Sequence, residues 1–142
     1  MGNSKIFQSL EGRWNLDRQI TPHGHFSGEA VFSKIDDTSL AYSETGQLSL
    51  DSGDTLNDVS KRYIFSLKDE GISVYFDDGP DKGKLFHTLN FDQSGTAEAD
   101  HFCKPDTYHS RYQFHSDVSF VITHDVSGPY KDYKIKSCYS RV

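Results

Sequence analysis

The chain has 142 residues, with 15 Lys plus Arg against 21 Asp plus Glu and a formal net charge of −6. This length predicts a single domain over residues 1–142 that can bury an ordinary core. The acidic balance excludes the basic surface typical of a nucleic-acid binder. No apolar run reaches the ~20 residues of a membrane span. The N-terminal residues MGNSKIFQSL lack a signal-peptide core, so we expect a cytoplasmic protein without a membrane partner.

The residue types favour β-strands, because 10 Phe and 8 Tyr suit strands while 11 Gly supply turns. The first residues are an exception: Ile6, Phe7 and Leu10 share one face of a short helix that Ser4 can cap and Gly12 can end. After it, alternating segments predict strands near residues 13–20, 26–35, 39–44, 47–50, 58–67, 72–77, 84–91, 96–103, 107–115, 118–125 and 130–141. Sequential strands with short connections predict an all-β fold, an up-and-down antiparallel β-barrel of about 8–10 strands. A β-sandwich is the structural alternative.

Two positions at the ends of the chain carry a resemblance. Gly12-Arg13-Trp14 follows the predicted helix and opens the first strand, and Arg141 lies near the end of the last strand. This arrangement resembles that of the lipocalins (calycins), in which a G-x-W tryptophan at the closed end packs against an arginine from the final strand. A guanidinium stacks well on an indole ring. The resemblance implies a lipocalin-like barrel.

Longer stretches carry a second resemblance. They are residues 12–18, 42–46 and 101–103, followed by Asp106 and Tyr108, and residues 128–133. In these stretches the chain resembles an uncharacterised bacterial family of small barrel domains of unknown function. That resemblance implies the fold and carries no activity.

Period-2 alternation predicts which side chains face the barrel interior. Arg18 shares a face with Trp14 and Leu16, and Glu44 shares one with Leu40 and Tyr42. Later strands place inward Leu85, His87, Leu89 and Phe91, then Ala97, Ala99, His101 and Cys103, then Tyr108 and Tyr112. The turn Asp92-Gln93-Ser94-Gly95 predicts a hairpin that pairs Leu89 with Ala99 and His87 with His101.

This predicted interior is unusually polar, and its polar residues are the candidate ligand-binding site. They are Arg18, Tyr42, Glu44, His87, His101, Tyr108 and Tyr112. Arg18 would anchor a carboxylate or phosphate, while aromatic rings cover an apolar or planar body. The leading hypothesis is a carrier or sensor for a small, anionic and partly aromatic molecule. The alternative is that Arg18 and Glu44 form a structural ion pair.

Two other classes of function stay open. His87, His101 and Cys103 could together hold a metal or haem, although reduced thiols are the ordinary expectation for Cys103 and Cys138. An enzyme could instead use either histidine as a general base.

In that enzyme, Glu44 or Asp106 would orient the base and Arg18 would anchor the substrate. No known catalytic motif supports a named reaction, so the balance lies against an enzyme. We assign no metal ligand, catalytic residue or cofactor, and the chain is expected to be a monomer or homodimer.

Overall fold

The computed structural model describes residues 2–142; Met1, included in the predicted domain range, lies outside the described residues. The elements are α1 (Asn3–Leu10), β1 (Gly12–Thr21), β2 (Gly24–Asp36), β3 (Ser39–Leu50), β4 (Thr55–Lys68), β5 (Gly71–Phe76), β6 (Leu85–Leu89), β7 (Thr96–Cys103), β8 (Asp106–Ser116), β9 (Ser119–Ser127) and β10 (Asp132–Arg141). No helix in this described part of the chain is long and apolar enough to cross a membrane.

The ten strands form one antiparallel sheet in the order β6-β5-β4-β3-β2-β1-β10-β9-β8-β7. The first and last strands pair along their length, from Trp14 opposite Arg141 to Thr21 opposite Lys134. This pairing bends the sheet into a nearly closed barrel, as the sequence predicts. Within residues 2–142, β6 and β7 share no strand ladder, and the gap between them forms a seam in the wall.

Two predicted boundaries were wrong. Residues 39–44 and 47–50 belong to a single strand, β3, whose pairing with β4 shifts register between Gly46 and Leu48. The helix begins at Asn3 with Gly2 as its N-cap, so Ser4 lies inside the first turn and does not cap it.

The predicted ladder between β6 and β7 was also wrong. The turn forms, since Gly95 N–H donates to the carbonyl of Asp92 at 3.1 Å, but Leu89–Ala99 and His87–His101 are not strand partners. Rings fill the seam instead: Phe86 on β6 lies edge-on to His101 on β7, with 5.3 Å between ring centroids. Side-chain packing therefore replaces backbone hydrogen bonds at this point of the wall.

A bulge explains why Leu85 does not face inward as predicted. Val74 pairs with His87 and Tyr75 pairs with Leu85, so Phe86 is the extra residue. Leu85 is 47% exposed, whereas Phe86 and His87 are both buried. Alternation would have placed the Phe86 ring outside the barrel, and the bulge turns it inward.

One end of the barrel is closed by α1 and by the Trp14–Arg141 contact. Ile6, Phe7 and Leu10 bury the apolar face of α1 in the core. The indole N–H of Trp14 donates to the carbonyl of Leu10 at 2.9 Å, and the Arg141 guanidinium carbon lies 4.1 Å from the indole centroid. The stacking that the sequence predicts is therefore confirmed. The loops after β1, β3, β5, β7 and β9 form the opposite end, here called the mouth.

Candidate functional site

The barrel encloses a cavity of about 290 Å³ that extends from α1 towards the mouth. Most of its wall is apolar, with aromatic rings contributed by Phe32, Phe65, Phe86, Phe91, Phe114 and Phe120. Polar groups form the smaller part of the wall, which is the usual composition of a small-molecule site.

The main polar feature is a buried cluster around Arg18 on β1, which we call the Arg18 network: Arg18, Tyr42, Glu44, Ser137 and Tyr139. Arg18 donates from Nη1 and Nη2 to the two carboxylate oxygens of Glu44 on β3, at 2.5 and 2.9 Å. Its Nε donates to Ser137 Oγ on β10 at 2.7 Å. Only 19% of the Arg18 side chain and 4% of the Glu44 side chain are exposed.

Two tyrosines extend this network. The Tyr42 hydroxyl donates to Glu44 Oε1 at 2.6 Å and lies 2.7 Å from the Tyr139 hydroxyl. Because a phenol has one proton and Tyr42 gives its own to Glu44, the Tyr139 hydroxyl must donate to Tyr42. The carboxylate of Glu44 therefore accepts three hydrogen bonds, and its burial is compensated.

Charge states in the network follow from burial and pairing. Burial acts to lower the pKa of Arg18, but the hydrogen bonds to Glu44 and the surrounding charges raise it overall, so Arg18 stays cationic. Burial raises the pKa of Tyr42 well above its usual value and that of Tyr139 to about 12. Both phenols are therefore neutral donors near pH 7.

A second ion pair lies nearer the mouth, on β4 and the loop after β5. Lys61 Nζ contacts Asp78 Oδ1 at 3.0 Å, and the same carboxylate accepts from the backbone N–H of Arg62 at 2.8 Å. The Lys61 ammonium also lies over the rings of Tyr63 and Phe76, 5.4 and 5.6 Å from their centroids. These contacts hold the lysine at the edge of the cavity.

Two histidines, the buried His87 and the half-buried His124, lie on the side of the barrel near the seam. His124 lines the cavity, and its Nδ1 lies 2.6 Å from Ser110 Oγ. His87 lies beside Tyr112, with Nε2 2.9 Å from the hydroxyl. Its Nδ1 is buried and has no hydrogen-bond partner within residues 2–142.

Both histidines are neutral at pH 7. Burial, with smaller effects of His124 and His101, lowers the pKa of His87 to about 3. Burial and the charge of Arg18 lower the pKa of His124 to about 4. Neither imidazole is therefore poised to exchange protons near neutral pH.

The structure brings most, but not all, of the predicted ligand-binding residues to the cavity. Those that line it are Arg18, Tyr42, Glu44, Tyr108 and Tyr112. His87 and His101 are not part of the lining: His87 contacts the Tyr112 hydroxyl, and His101 packs edge-on against Phe76 and Phe86 in the seam. His87 keeps the inward direction that alternation predicts, since it pairs with buried Val74 and is itself buried. That these two histidines contact a ligand stays a prediction.

The residues of the metal alternative, His87, His101 and Cys103, do not form a site together. Cys103 is exposed at the end of β7, while His87 is buried in the core. Among the described residues no group of three or more His, Cys, Asp or Glu side chains has an arrangement that could hold a metal ion. Asp106 does not orient a histidine; its Oδ2 pairs with Lys131 at 3.0 Å.

Four of the cavity residues outside the predicted set bear on its chemistry. His124 on β9 and Tyr139 on β10 come near Arg18 because β10 pairs with both β1 and β9. The sequence does not predict that Lys61 and Phe86 line the cavity. A lysine on a strand is ordinarily a solvated charge, and Phe86 faces the cavity only because of a bulge.

The fold and cavity define a small antiparallel barrel of the lipocalin-like type. The model of a family of unknown function, DUF6314, matches residues 10–141. The chain belongs to that family. A comparison with curated proteins found no match.

Several solved structures share the fold. The S-type phycobiliprotein lyase CPES from Guillardia theta is 11% identical, with 100% of this chain and 93% of that chain covered and a TM-score of 0.71. The redesigned beta barrel mFAP0, bound to DFHBI, is 12% identical, with 94% and 100% covered and a TM-score of 0.52. A de novo designed fluorescence-activating beta barrel is 12% identical, with 95% of each chain covered and a TM-score of 0.53. At these identities the likeness shows the fold alone.

Proposed function

We propose that this protein binds one small, partly aromatic molecule inside the barrel, as a carrier or sensor. The observation that carries the proposal is the cavity of about 290 Å³, whose mostly apolar wall carries the buried, internally hydrogen-bonded Arg18 network. Small-molecule sites combine an apolar enclosure with a few fixed polar groups. A barrel of the same fold, mFAP0, binds the small molecule DFHBI in its solved structure, which supports this use of the architecture.

Each part of the wall would then have a separate role. Phe86 and Phe120 would cover the faces of a planar ligand, because aromatic rings pack edge-to-face or offset against one another. Tyr108 and Tyr112 would supply hydroxyl groups on the side opposite Arg18. The Arg18 network would orient the polar end of the ligand, since its donors are fixed before the ligand arrives.

An anionic ligand group, expected from the sequence, depends on Arg18 being available. Arg18 already donates to both oxygens of Glu44 and to Ser137. An anion at this place would have to share the guanidinium with a carboxylate that is held by three hydrogen bonds. The catalytic alternative relied on His87 or His101 beside the substrate, and neither residue lines the cavity.

A variant that fills the cavity tests the proposal. Val59 on β4 lines the cavity opposite Gly46, so we expect Val59→Trp to weaken binding of the neutral fluorescent probe N-phenyl-1-naphthylamine about tenfold or more. Val31→Trp, on the outer face of β2, is the matched control and should bind as the parent does. Fluorescence titration measures both. Absent binding by the parent, or equal binding by Val59→Trp, would contradict the proposal.

A further inference from the structure

We infer that the cavity selects an uncharged ligand, because every charged side chain that lines it is already paired with an opposite charge of the protein. This inference rests on the proposed function and specifies the chemical class of the ligand. It replaces the anionic ligand expected from the sequence with a neutral one. The ligand class is an uncharged aromatic molecule carrying a carbonyl, amide or hydroxyl group.

The charge inventory of the wall is short. In the described part of the chain, the cavity is lined by three formally charged side chains: Arg18, Glu44 and Lys61. Arg18 and Glu44 neutralise one another through a bidentate pair. Lys61 is neutralised by Asp78, 3.0 Å away. The net charge presented to a ligand is therefore zero.

Burial makes the charge balance between Arg18 and Glu44 important for the charge of a ligand. The pair lies where little of either side chain reaches solvent, and a lone charge moved into such a place loses its hydration. A carboxylate ligand would add a second negative charge beside Glu44, and an ammonium ligand a second positive charge beside Arg18. Either one leaves a net uncompensated charge in a low-dielectric site, which is strongly unfavourable.

The remaining titratable groups of the wall do not restore a charge. His124, on the side facing Arg18, has a pKa lowered to about 4 by burial and by the charge of Arg18, so it is neutral at pH 7. Burial raises the pKa of Tyr63, Tyr108 and Tyr112 above the usual value for a phenol. All these groups offer hydrogen bonds without charge.

Hydrogen-bond chemistry narrows the class further. A guanidinium has five N–H groups, and three of Arg18's are spent on Glu44 and Ser137, with Tyr139 also in contact. A neutral carbonyl or hydroxyl oxygen can accept from what is left without displacing Glu44. Aromatic rings on the rest of the wall fit the planar remainder of such a molecule.

Two fluorescent probes with the same ring system test this inference. N-phenyl-1-naphthylamine is neutral, and anilinonaphthalenesulfonate carries one sulfonate on the same rings. At pH 7 we expect the parent protein to bind the neutral probe at least about tenfold more tightly, a difference of roughly 1.4 kcal/mol. Val59→Trp should weaken the neutral probe, which assigns the signal to the cavity and not to the surface.

Two charge variants test the cause. Glu44→Gln keeps an oxygen that accepts from Arg18 and Tyr42 but leaves the guanidinium unbalanced, so the preference should shift towards the sulfonate by about tenfold or more. Asp78→Asn frees the Lys61 charge at the mouth and keeps an acceptor for Arg62. Asp78→Asn should also shift the binding preference towards the sulfonate probe, but by less than Glu44→Gln does, because solvent screens the charge of Lys61. The second variant serves if the first does not fold.

The outcomes separate the two proposals. Binding of the sulfonate as tightly as the neutral probe, blocked by Val59→Trp, would overturn the neutral-ligand inference and leave the proposed function standing. The inference would also be overturned if folded Glu44→Gln and Asp78→Asn both kept the parent's preference for the neutral probe. Charge pairing would then not be the cause of that preference. Binding of neither probe by the parent would overturn the proposed function and the inference with it.

Discussion

Removing either partner of the Arg18–Glu44 pair is expected to lower the free energy of unfolding by about 3–5 kcal/mol, because the remaining charge is left buried without a counter-charge. The substitutions are Arg18→Met and Glu44→Leu, which replace each side chain by an apolar one. The double variant buries no charge and loses only hydrogen bonds, chiefly the acceptor of Tyr42. It should therefore cost about 1–3 kcal/mol, less than either single variant.

Urea denaturation of the four proteins gives this comparison as a double-mutant cycle. The matched control is the pair Arg13–Glu29, which joins neighbouring strands at 2.8 Å but is exposed, with 61% and 39% of the side chains accessible. The same cycle at that pair should show no measurable coupling. Additive losses at Arg18 and Glu44 would mean that the pair does not act as one buried unit.

Acidification is expected to destabilise the fold before most carboxylates titrate. His87 and His124 have pKa values of about 3 and 4 in the folded protein, whereas an unfolded histidine titrates near 6.5. Below pH 6.5 the unfolded state therefore binds protons that the folded state does not. Stability is full above that pH and falls as the pH drops towards 4, by up to about 1.4 kcal/mol per pH unit for each histidine.

Urea denaturation between pH 7.5 and pH 5 measures this slope, and by pH 5 we expect a loss of about 2 kcal/mol for each histidine. His124→Gln should remove about half of the slope. His109→Gln is the control: this exposed ring contacts Asp100 and Glu98, which raise its pKa, so its loss should not flatten the slope. A slope that stays the same in His124→Gln would show that His124 is not held neutral by the fold.

The parts of the fold that follow from local pattern could be predicted from the sequence. Trp14, Arg18, Tyr42 and Glu44 lie on strands with regular alternation, so period 2 was enough to turn them inward. The pairing of β1 with β10 then brings Arg18 beside Ser137. The contact between Trp14 and Arg141 was implied by the resemblance to the lipocalins, and the structure confirms it.

The parts that depend on how the barrel closes could not be predicted. The turn at residues 92–95 forms, but β6 and β7 do not pair, so the turn signal alone does not predict the ladder. The extra residue at Phe86 reverses the expected direction of Leu85. His87 is buried and His101 is half-buried, as expected for inward residues, but alternation alone does not show which inward side chains line the cavity.

The charge state of the site was predicted in part. An ion pair between Arg18 and Glu44 was the alternative to an Arg18 free to hold an anion, and the structure confirms the pair. The two residues are 26 positions apart in the chain, and alternation predicts their shared interior but not the bidentate geometry. Lys61 and Asp78 meet only because β4 and the loop after β5 come together at the mouth.

The central claim, a ligand inside the barrel, is tested most directly by native mass spectrometry of the purified protein beside its denatured mass. We expect a stoichiometric adduct small enough for a cavity of about 290 Å³, lost on denaturation and absent from Val59→Trp. Its identified mass should correspond to an uncharged aromatic molecule. The claim would be contradicted if the parent protein showed only the mass of the polypeptide and did not bind N-phenyl-1-naphthylamine. The barrel interior would then serve the stability of the fold and not the binding of a ligand.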